Sequence, residues 1–405
     1  ETTTCAIVGG GPAGMVLGLL LARAGVEVTL LEKHADFLRD FRGDTVHPST
    51  MGLLDELGLW DRFATLPYSE IRTATVESNG RSTTFVDFGR LRQPHPFIAM
   101  VPQWDLLDLL AESAQAEPSF TLCMRTEVTG LLAEGGRVIG VRYQTPAGSG
   151  ELRADLTVAC DGRWSIARQE AGLRVRDYPV HFDVWWFRLP REGAGEFSFL
   201  MPRFGPGKLL IVIPREGYFQ IAYLGQKGTD AQLRARGLEA FRCDIAELLP
   251  EAAGSVTALK SLDDVKHLDV RVSRLRRWHT DGLLCIGDAA HAMSPVGGVG
   301  INLAVQDAVA AATLLAEPLR RHRVTSRDLA AVRRRRVWPT VVTQSLQRVM
   351  HRVLDPILRG ENLSPPAALL GLFDRLPWLS AMPAYFIGIG VRPEHAPAFA
   401  RRDAD

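Results

Sequence analysis

Residues 4–14 read Thr4-Cys5-Ala6-Ile7-Val8-Gly9-Gly10-Gly11-Pro12-Ala13-Gly14. Residues 4–8 form a short apolar run that stops at glycine, the mark of a strand buried in a parallel sheet. Residues 15–24 are rich in leucine and alanine and predict a helix, which Gly25 ends. A second β-branched run over 26–31 closes on Glu32. Strand, glycine turn, helix, strand and acid thus follow one another within about thirty residues, the order a dinucleotide-binding unit requires. Gly9 permits the tight turn, Gly11 lets the backbone approach a pyrophosphate, and Gly14 lets helix and strand pack closely. The helix end that opens on Pro12 and Ala13 offers N–H groups and a positive dipole end to phosphates. Glu32, eighteen residues after Gly14, stands where an acid accepts hydrogen bonds from ribose hydroxyls.

Outward from this unit, the 405 residues suit two or three packed subdomains rather than one core. Hydrophobic residues at 46% and charged residues at 23% are ordinary for a globular chain. A net charge of +1 supplies no field to draw nucleic acid or an anionic membrane. The five cysteines are odd in number and too widely spaced for a zinc knuckle or a CxxC pair. Cys5, Cys160 and Cys285 lie in strand-like apolar runs, so buried reduced thiols, no metal site and a cytoplasmic location are expected. The polar start runs straight into the first strand with no signal-peptide pattern. The most apolar tail, 369–390, is broken by Asp374, Arg375, Pro377 and Pro383, so no transmembrane segment is expected.

Helices are predicted over 50–63, 105–115 and 302–319, and strands over 120–128, 138–144, 155–159 and 283–286. Runs at 182–189, 196–201, 208–214 and 218–224 predict an antiparallel sheet that turns at Gly205-Pro206-Gly207 and at Glu216-Gly217. From Arg327 onward the chain reads as helices punctuated by proline. A return to a buried parallel-type strand at 283, after an antiparallel sheet, implies discontinuous domains.

A second motif, Gly287-Asp288-Ala289-Ala290-His291, directly follows the apolar run 283–286. Asp288 at the C-terminal end of a strand is suited to bind hydroxyls. Gly297-Gly298-Val299-Gly300-Ile301-Asn302 then leads into the long helix. Closely spaced glycines let a flat ring approach the backbone, and the helix N-terminus stabilises negative charge. A reduced flavin carries such charge near N1 and the C2 carbonyl. A third motif, Cys160-Asp161-Gly162-Arg163, reads by itself as a turn at a strand end.

In this order and at these separations the three motifs resemble the FAD-dependent aromatic hydroxylases, the single-component (group A) flavin monooxygenases of the para-hydroxybenzoate hydroxylase family. The resemblance covers about residues 4–320, and the remaining tail is only loosely similar. It implies an α/β fold: a Rossmann-type FAD-binding domain with an inserted, mainly antiparallel β-sheet substrate domain and a C-terminal helical region. The expected boundaries are 1–70, 98–172 and 268–325 for the FAD-binding domain, 71–97 and 173–267 for the substrate domain, and 326–405 for the helices. Gly9, Gly11, Pro12, Ala13, Gly14, Glu32 and Lys33 match the FAD fingerprint and its flank. Arg42 and Gln103 match residues that contact the cofactor, and Val128 is counted with them. Asp161 and Gly162 match a motif associated with both FAD and pyridine nucleotide. Gly287 and Asp288 match the turn that holds ribityl or ribose hydroxyls. Pro295, Gly298, Gly300, Ile301 and Asn302 fall on the loop beside the isoalloxazine. The tyrosine and arginine cluster with which the namesake enzyme holds its substrate finds no match, which leaves the substrate open.

One dinucleotide fingerprint occurs, so the resemblance implies FAD as the resident cofactor and NAD(P)H as a transient reductant. Reduced flavin and O₂ would give a C4a-hydroperoxide that hydroxylates an aromatic or other electron-rich hydrophobic small molecule, a polycyclic ring included. The protein then positions the substrate and excludes water, and no universal catalytic side chain is assigned. Trp186, Met201, Ile211, Ile213 and Tyr223 are the pocket candidates on the middle sheet, with Phe187 and Phe199 beside them. His47 and Arg203 are possible polar anchors, with a surface or structural role favoured, and His291 is read as structural. Lys33, His34 and Arg39 could read a 2′-phosphate, against Asp36, which tilts the reductant toward NADPH. The basic run Arg333-Arg334-Arg335-Arg336 reads as a solvated helix face. A monomer or homodimer is expected. Three rivals share the scaffold. A flavin-dependent halogenase would need a WxWxIP segment that Val184-Trp185-Trp186-Phe187-Arg188 does not supply. A reductase or dehydrogenase would turn over without O₂, and a non-catalytic flavoprotein would not oxidise NAD(P)H.

Overall fold

The strand Thr2–Val8, buried from Thr4 onward, lies inside an eight-stranded sheet. It pairs in parallel with Val28–Leu31 on one side and Gly148–Ala159 on the other. Phe120–Cys123 and Leu283–Cys285 extend the parallel array at its two ends. A strand covered on both faces has no polar side to show, which is why residues 5–8, 28–31, 156–159 and 283–285 carry no charged side chain. The computed structural model describes residues 1–38, 44–78, 81–191, 199–215, 217–361 and 367–402. Helix α1 (Pro12–Arg23) is buried over residues 13–22, and α2 (Pro48–Glu56) and α3 (Gln103–Gln115) follow it. Two expected elements are divided. Arg125, at φ +52°, separates Phe120–Cys123 from Glu127–Glu134, which pairs antiparallel with Arg137–Thr145. Gly58, at φ +68°, separates α2 from the short helix Trp60–Ala64.

The middle sheet has seven strands, in the order Lys266–Leu268, Phe182–Pro190, Tyr218–Gln226, Lys208–Pro214, Phe199–Gly205, Thr73–Ser78 and Arg81–Asp87. All its pairings are antiparallel except that of Phe199–Gly205 with Thr73–Ser78. The first residues of the strand expected over 196–201 lie outside the described residues. One face of the sheet is covered by α4 (Asp230–Leu248), a helix bent at Gly237, which sequence reading did not foresee. Register decides which residues α4 covers. Trp186 and Ile211 both pair with Ala222, and Ile213 pairs with Gln220, so these five share one face. Trp185 and Leu210 both pair with Tyr223, which places those three on the other face, under α4.

The chain continues through α5 (Gly300–Arg320) and α6 (Ser326–Leu358) and, after a nine-residue helix at Ala367–Arg375, reaches α7 (Ala381–Gly388). A capping box between Thr325 and Asp328 starts α6, which continues through Pro339 and Pro356 where proline breaks were expected. Ala384 of α7 packs with Ile213, on the face of the middle sheet away from α4.

Candidate functional site

Gly9 adopts φ +100°, and a Cβ there would lie 2.7 Å from the Cys160 carbonyl oxygen. At Gly14 a Cβ would lie 2.1 Å from the Gly9 carbonyl oxygen, so α1 touches the turn with no room for a methyl group. Gly11, the N-cap of α1, instead faces open space, and no side chain caps the helix. Pro12 at the first helical position leaves the N–H groups behind it free for an anion. Glu32 is buried, and its Oε2 accepts from the Gly10 N–H at 2.7 Å. Its Oε1 accepts from the His34 N–H at 3.0 Å and lies 2.6 Å from the His34 ring Nδ1. The acid therefore braces the glycine turn from within. Lys33 and Asp36 are exposed, while Arg39 and Arg42 lie outside the described residues.

The second motif folds against the first. Gly287 has φ +57°, and a Cβ there would lie 3.3 Å from the side chains of both Ala13 in α1 and Ala304 in α5. The uncapped N-termini of the two helices are thus brought to one place. Asp288 lies 3.6 Å from the Arg163 guanidinium, which joins the third motif to the second. Arg168, a buried residue that sequence reading missed, donates to the Ala289 carbonyl at 3.1 Å and to the Arg163 carbonyl at 2.7 Å. Burial raises the pKa of Asp161, whose Oδ2 accepts from the Ala167 N–H at 3.3 Å while its buried Oδ1 has no partner.

The glycine loop after the second motif is held from behind. Gly298 is at φ +65°, and its carbonyl accepts from the Thr45 hydroxyl at 3.0 Å. His47 is fully buried, with Nε2 3.0 Å from the Gly298 carbonyl and Nδ1 2.7 Å from the Ile387 carbonyl. Asn302 turns its side chain away, accepting from Ser49 at 2.7 Å and Thr50 at 2.9 Å. What Asn302, Ile301 and Gly300 offer forward is main-chain N–H at an uncapped helix end. Pro295 is half-buried; Gln103 is half-buried at the start of α3; Val128 is buried in Glu127–Glu134.

A family model described as an FAD binding domain matches residues 1–345. The chain belongs to this family, that of the FAD-dependent aromatic hydroxylases. It is 37% identical over 391 residues to the 6-methylpretetramide 4-monooxygenase of Streptomyces rimosus, covering 95% of this chain and 90% of that protein. The solved anhydrotetracycline hydroxylase of Streptomyces rimosus superposes with a TM-score of 0.78 at 24% identity, over 98% of this chain and 78% of that one. A flavin-dependent brominase superposes with a TM-score of 0.75 at 17% identity, over 94% of this chain and 93% of that one. At those identities the two structures show a shared fold and nothing further.

The residues of this flavin monooxygenase fit FAD. Two uncapped helix N-termini, an open space before Gly11 and an unpartnered buried Asp161 oxygen are the features that a dinucleotide would complete. FAD supplies the redox and oxygen-activating chemistry when bound, with NAD(P)H as reductant. The chain would supply the binding groups: α1 for phosphate, Glu32 and Asp288 for hydroxyls, and the loop 295–302 for the ring.

The α4-free face of the middle sheet lies on the side of that loop: Trp186, Ile211 and Val296 border one apolar cluster, and Trp186, Ile211 and Ile387 border the cluster that contains Ile213. Tyr223, a pocket candidate from the sequence, is corrected. It lies on the α4 side, where its hydroxyl reaches Asp244 at 3.4 Å. Phe187 is buried there too, and the side chains of Met201 and Phe199 lie outside the described residues. Arg203 is tied to Glu251 at 2.7 Å. Beside the apolar face sit buried polar groups that the sequence did not mark. The Arg215 Nη2 is 3.7 Å from the Asp44 Oδ2, and burial beside it raises the pKa of Asp44. The Gln103 backbone and the Gln220 side chain stand near the carboxylate, yet neither Asp44 oxygen accepts a hydrogen bond in good geometry. Arg215 Nη1, Gln220 Oε1 and Trp186 Nε1 are likewise buried without partners. Among the described residues no helix is long and apolar enough to cross a membrane.

Proposed function

We propose that this monooxygenase hydroxylates a fused-ring aromatic of polyketide type, using NADPH and O₂. The reading rests on one observation, the apolar face of Trp186, Ile211 and Ile213, which shares its apolar clusters with Val296 and Ile387 at the edge of the flavin loop. A flat hydrophobic ring fits such walls, and a few convergent polar groups would orient it. Trp186 Nε1, Gln220 Oε1 and Arg215 Nη1 are the donors and acceptor available for that task. The relative with 37% identity carries a name that places its action on 6-methylpretetramide, which supports a ring of this class. Residues 1–70, 98–172 and 268–325 would then carry the cofactor, 71–97 and 173–267 the substrate face, and 326–405 the helical support.

The test is a panel of fused-ring phenols added to the FAD-loaded protein with NADPH and isotopically labelled O₂. The expected result is faster NADPH consumption and a product that gains one labelled oxygen atom. Product formation without O₂ would point to a reductase, and chloride-dependent halogenation to a halogenase. Either outcome would displace the reading.

A further inference from the structure

The residues of α6 that face the flavin loop are polar, buried and spaced along one side of the helix: Gln344, Gln347 and His351. Spacings of three and four residues put such side chains in a row. Gln347 Nε2 donates to the Ser294 and Val296 carbonyls, both at 2.9 Å, and its Oε1 accepts from the Ser294 N–H at 3.3 Å. His351 Nε2 lies 2.9 Å from the Ser294 hydroxyl. Gln344 Nε2 donates to the Ser273 and Ala292 carbonyls at 2.9 and 3.1 Å. Pro295 has no N–H, so one carboxamide binds three of the few main-chain polar groups on either side of it.

Behind the same segment lies a small, mostly apolar recess. It lies between α6 and α7, is lined by Val296, Gly297, Val299, Leu346 and Phe386, and has room for little more than a water molecule. From the α6 side the hydrogen bonds of Gln347 fix the main chain of residues 294–296. We propose that Gln347 is a positioning residue that sets the reduction potential of the bound flavin by splinting residues 294–296. Without the splint residues 294–296 lose these anchors, and the turn from Gly297 to Asn302 that follows them is held less firmly. The main-chain N–H groups at the start of α5 then stand less well toward the negative charge of a reduced flavin. This rests on the reading that the loop borders the flavin.

The test compares the FAD-loaded parent with Gln347→Met, which keeps length and removes the hydrogen bonds, and Gln347→Glu, which sets a carboxylate against two carbonyl oxygens. Midpoint potentials are measured by dye equilibration, FAD affinity by fluorescence, and peroxide yield with NADPH and O₂ alone. In Gln347→Met, reduced FAD should lose about tenfold more affinity than oxidised FAD, a fall in potential of about 30 mV for a two-electron couple. Gln347→Glu should fall further, and both should release more peroxide per NADPH. If the Met variant does not fold, the Glu variant decides by the same measurement. Either variant holding FAD at the parent potential overturns the proposal. A parent protein that takes up no FAD would overturn the cofactor site itself, a separate result.

Discussion

Arg336 lies inside the molecule with its Nε 3.0 Å from the Asp307 Oδ1, and neither side chain reaches solvent. Burial pushes the Asp307 carboxyl up, but His291 and Arg336 outweigh it and hold its pKa below the usual carboxylate range. The other Asp307 oxygen receives His291 Nε2 at 2.5 Å and the Gly287 N–H at 3.2 Å. Arg336 also reaches Glu394 at 3.3 Å and the Arg392 carbonyl at 3.2 Å, tying the C-terminal segment to the second motif. Asp307→Asn leaves the Arg336 charge buried with a weaker partner and is expected to lower the unfolding free energy by about 3 kcal/mol. Urea denaturation at neutral pH with excess FAD checks it; a change of under about 1 kcal/mol would show that Glu394 alone satisfies Arg336.

The three fingerprint glycines should separate cleanly. Gly14→Ala forces a methyl group onto the Gly9 carbonyl and should destabilise the apoprotein by about 3 kcal/mol. Gly11→Ala meets nothing within 4 Å, so the apoprotein should keep its melting temperature. Its FAD affinity should nonetheless fall at least about tenfold, because the methyl group occupies the approach to α1. Equal FAD binding in Gly11→Ala and the parent would mean that no pyrophosphate passes there.

His47 confers a pH dependence whose sign follows from its burial. Both ring nitrogens face carbonyl oxygens, yet burial lowers the pKa from 6.5 to about 4 against the pull of those two groups. Above 6.5 the ring is neutral whether the chain is folded or unfolded. As pH falls from 6.5 toward 4 the unfolded chain takes up a proton that the folded protein refuses, and stability declines. The loss is on the order of 3 kcal/mol and levels off at lower pH. His351, lowered by burial to about 4, acts in the same direction. Denaturation of His47→Asn across this range should show a flatter slope than the parent; an identical slope would place the titration elsewhere.

Arg215→Met tests the polar corner of the substrate face. The variant keeps the side-chain length and leaves Asp44 without its nearest cation, which should raise the Asp44 carboxyl further. With the ring substrate found by the panel, KM should rise by a factor of about ten or more, as expected when a buried charged donor is lost. FAD content should stay at the parent level. An unchanged KM would remove Arg215 from substrate recognition.

The parallel unit, the glycine turn and Glu32 were legible because each depends on residues close in the chain. A buried strand must be apolar and a tight turn must be glycine, whatever surrounds them. The second motif was legible for the same reason, whereas the third read by itself as a turn, and neither the seat of Gly287 against Ala13 and Ala304 nor the approach of Arg163 to Asp288 could be read. The helix at 230–248 escaped notice because Gly237 interrupts its pattern. Alternation along a strand shows which residues share a side and leaves open which side is buried under what. Tyr223 and Trp186 were therefore indistinguishable until α4 was seen to cover one of them.

Sequence alone determined the cofactor class of this protein, since the FAD fingerprint is a local steric and electrostatic requirement written in adjacent residues. Tertiary structure alone decided the sheet face presented to the flavin loop, the burial of Arg336 and the grip of Gln347 on residues 294–296. The Arg336 partners lie 29 and 58 residues away, and the Gln347 partners 51 and 53. An arginine run or a glutamine in a helix looks solvated until folding brings a distant carboxylate or carbonyl to it.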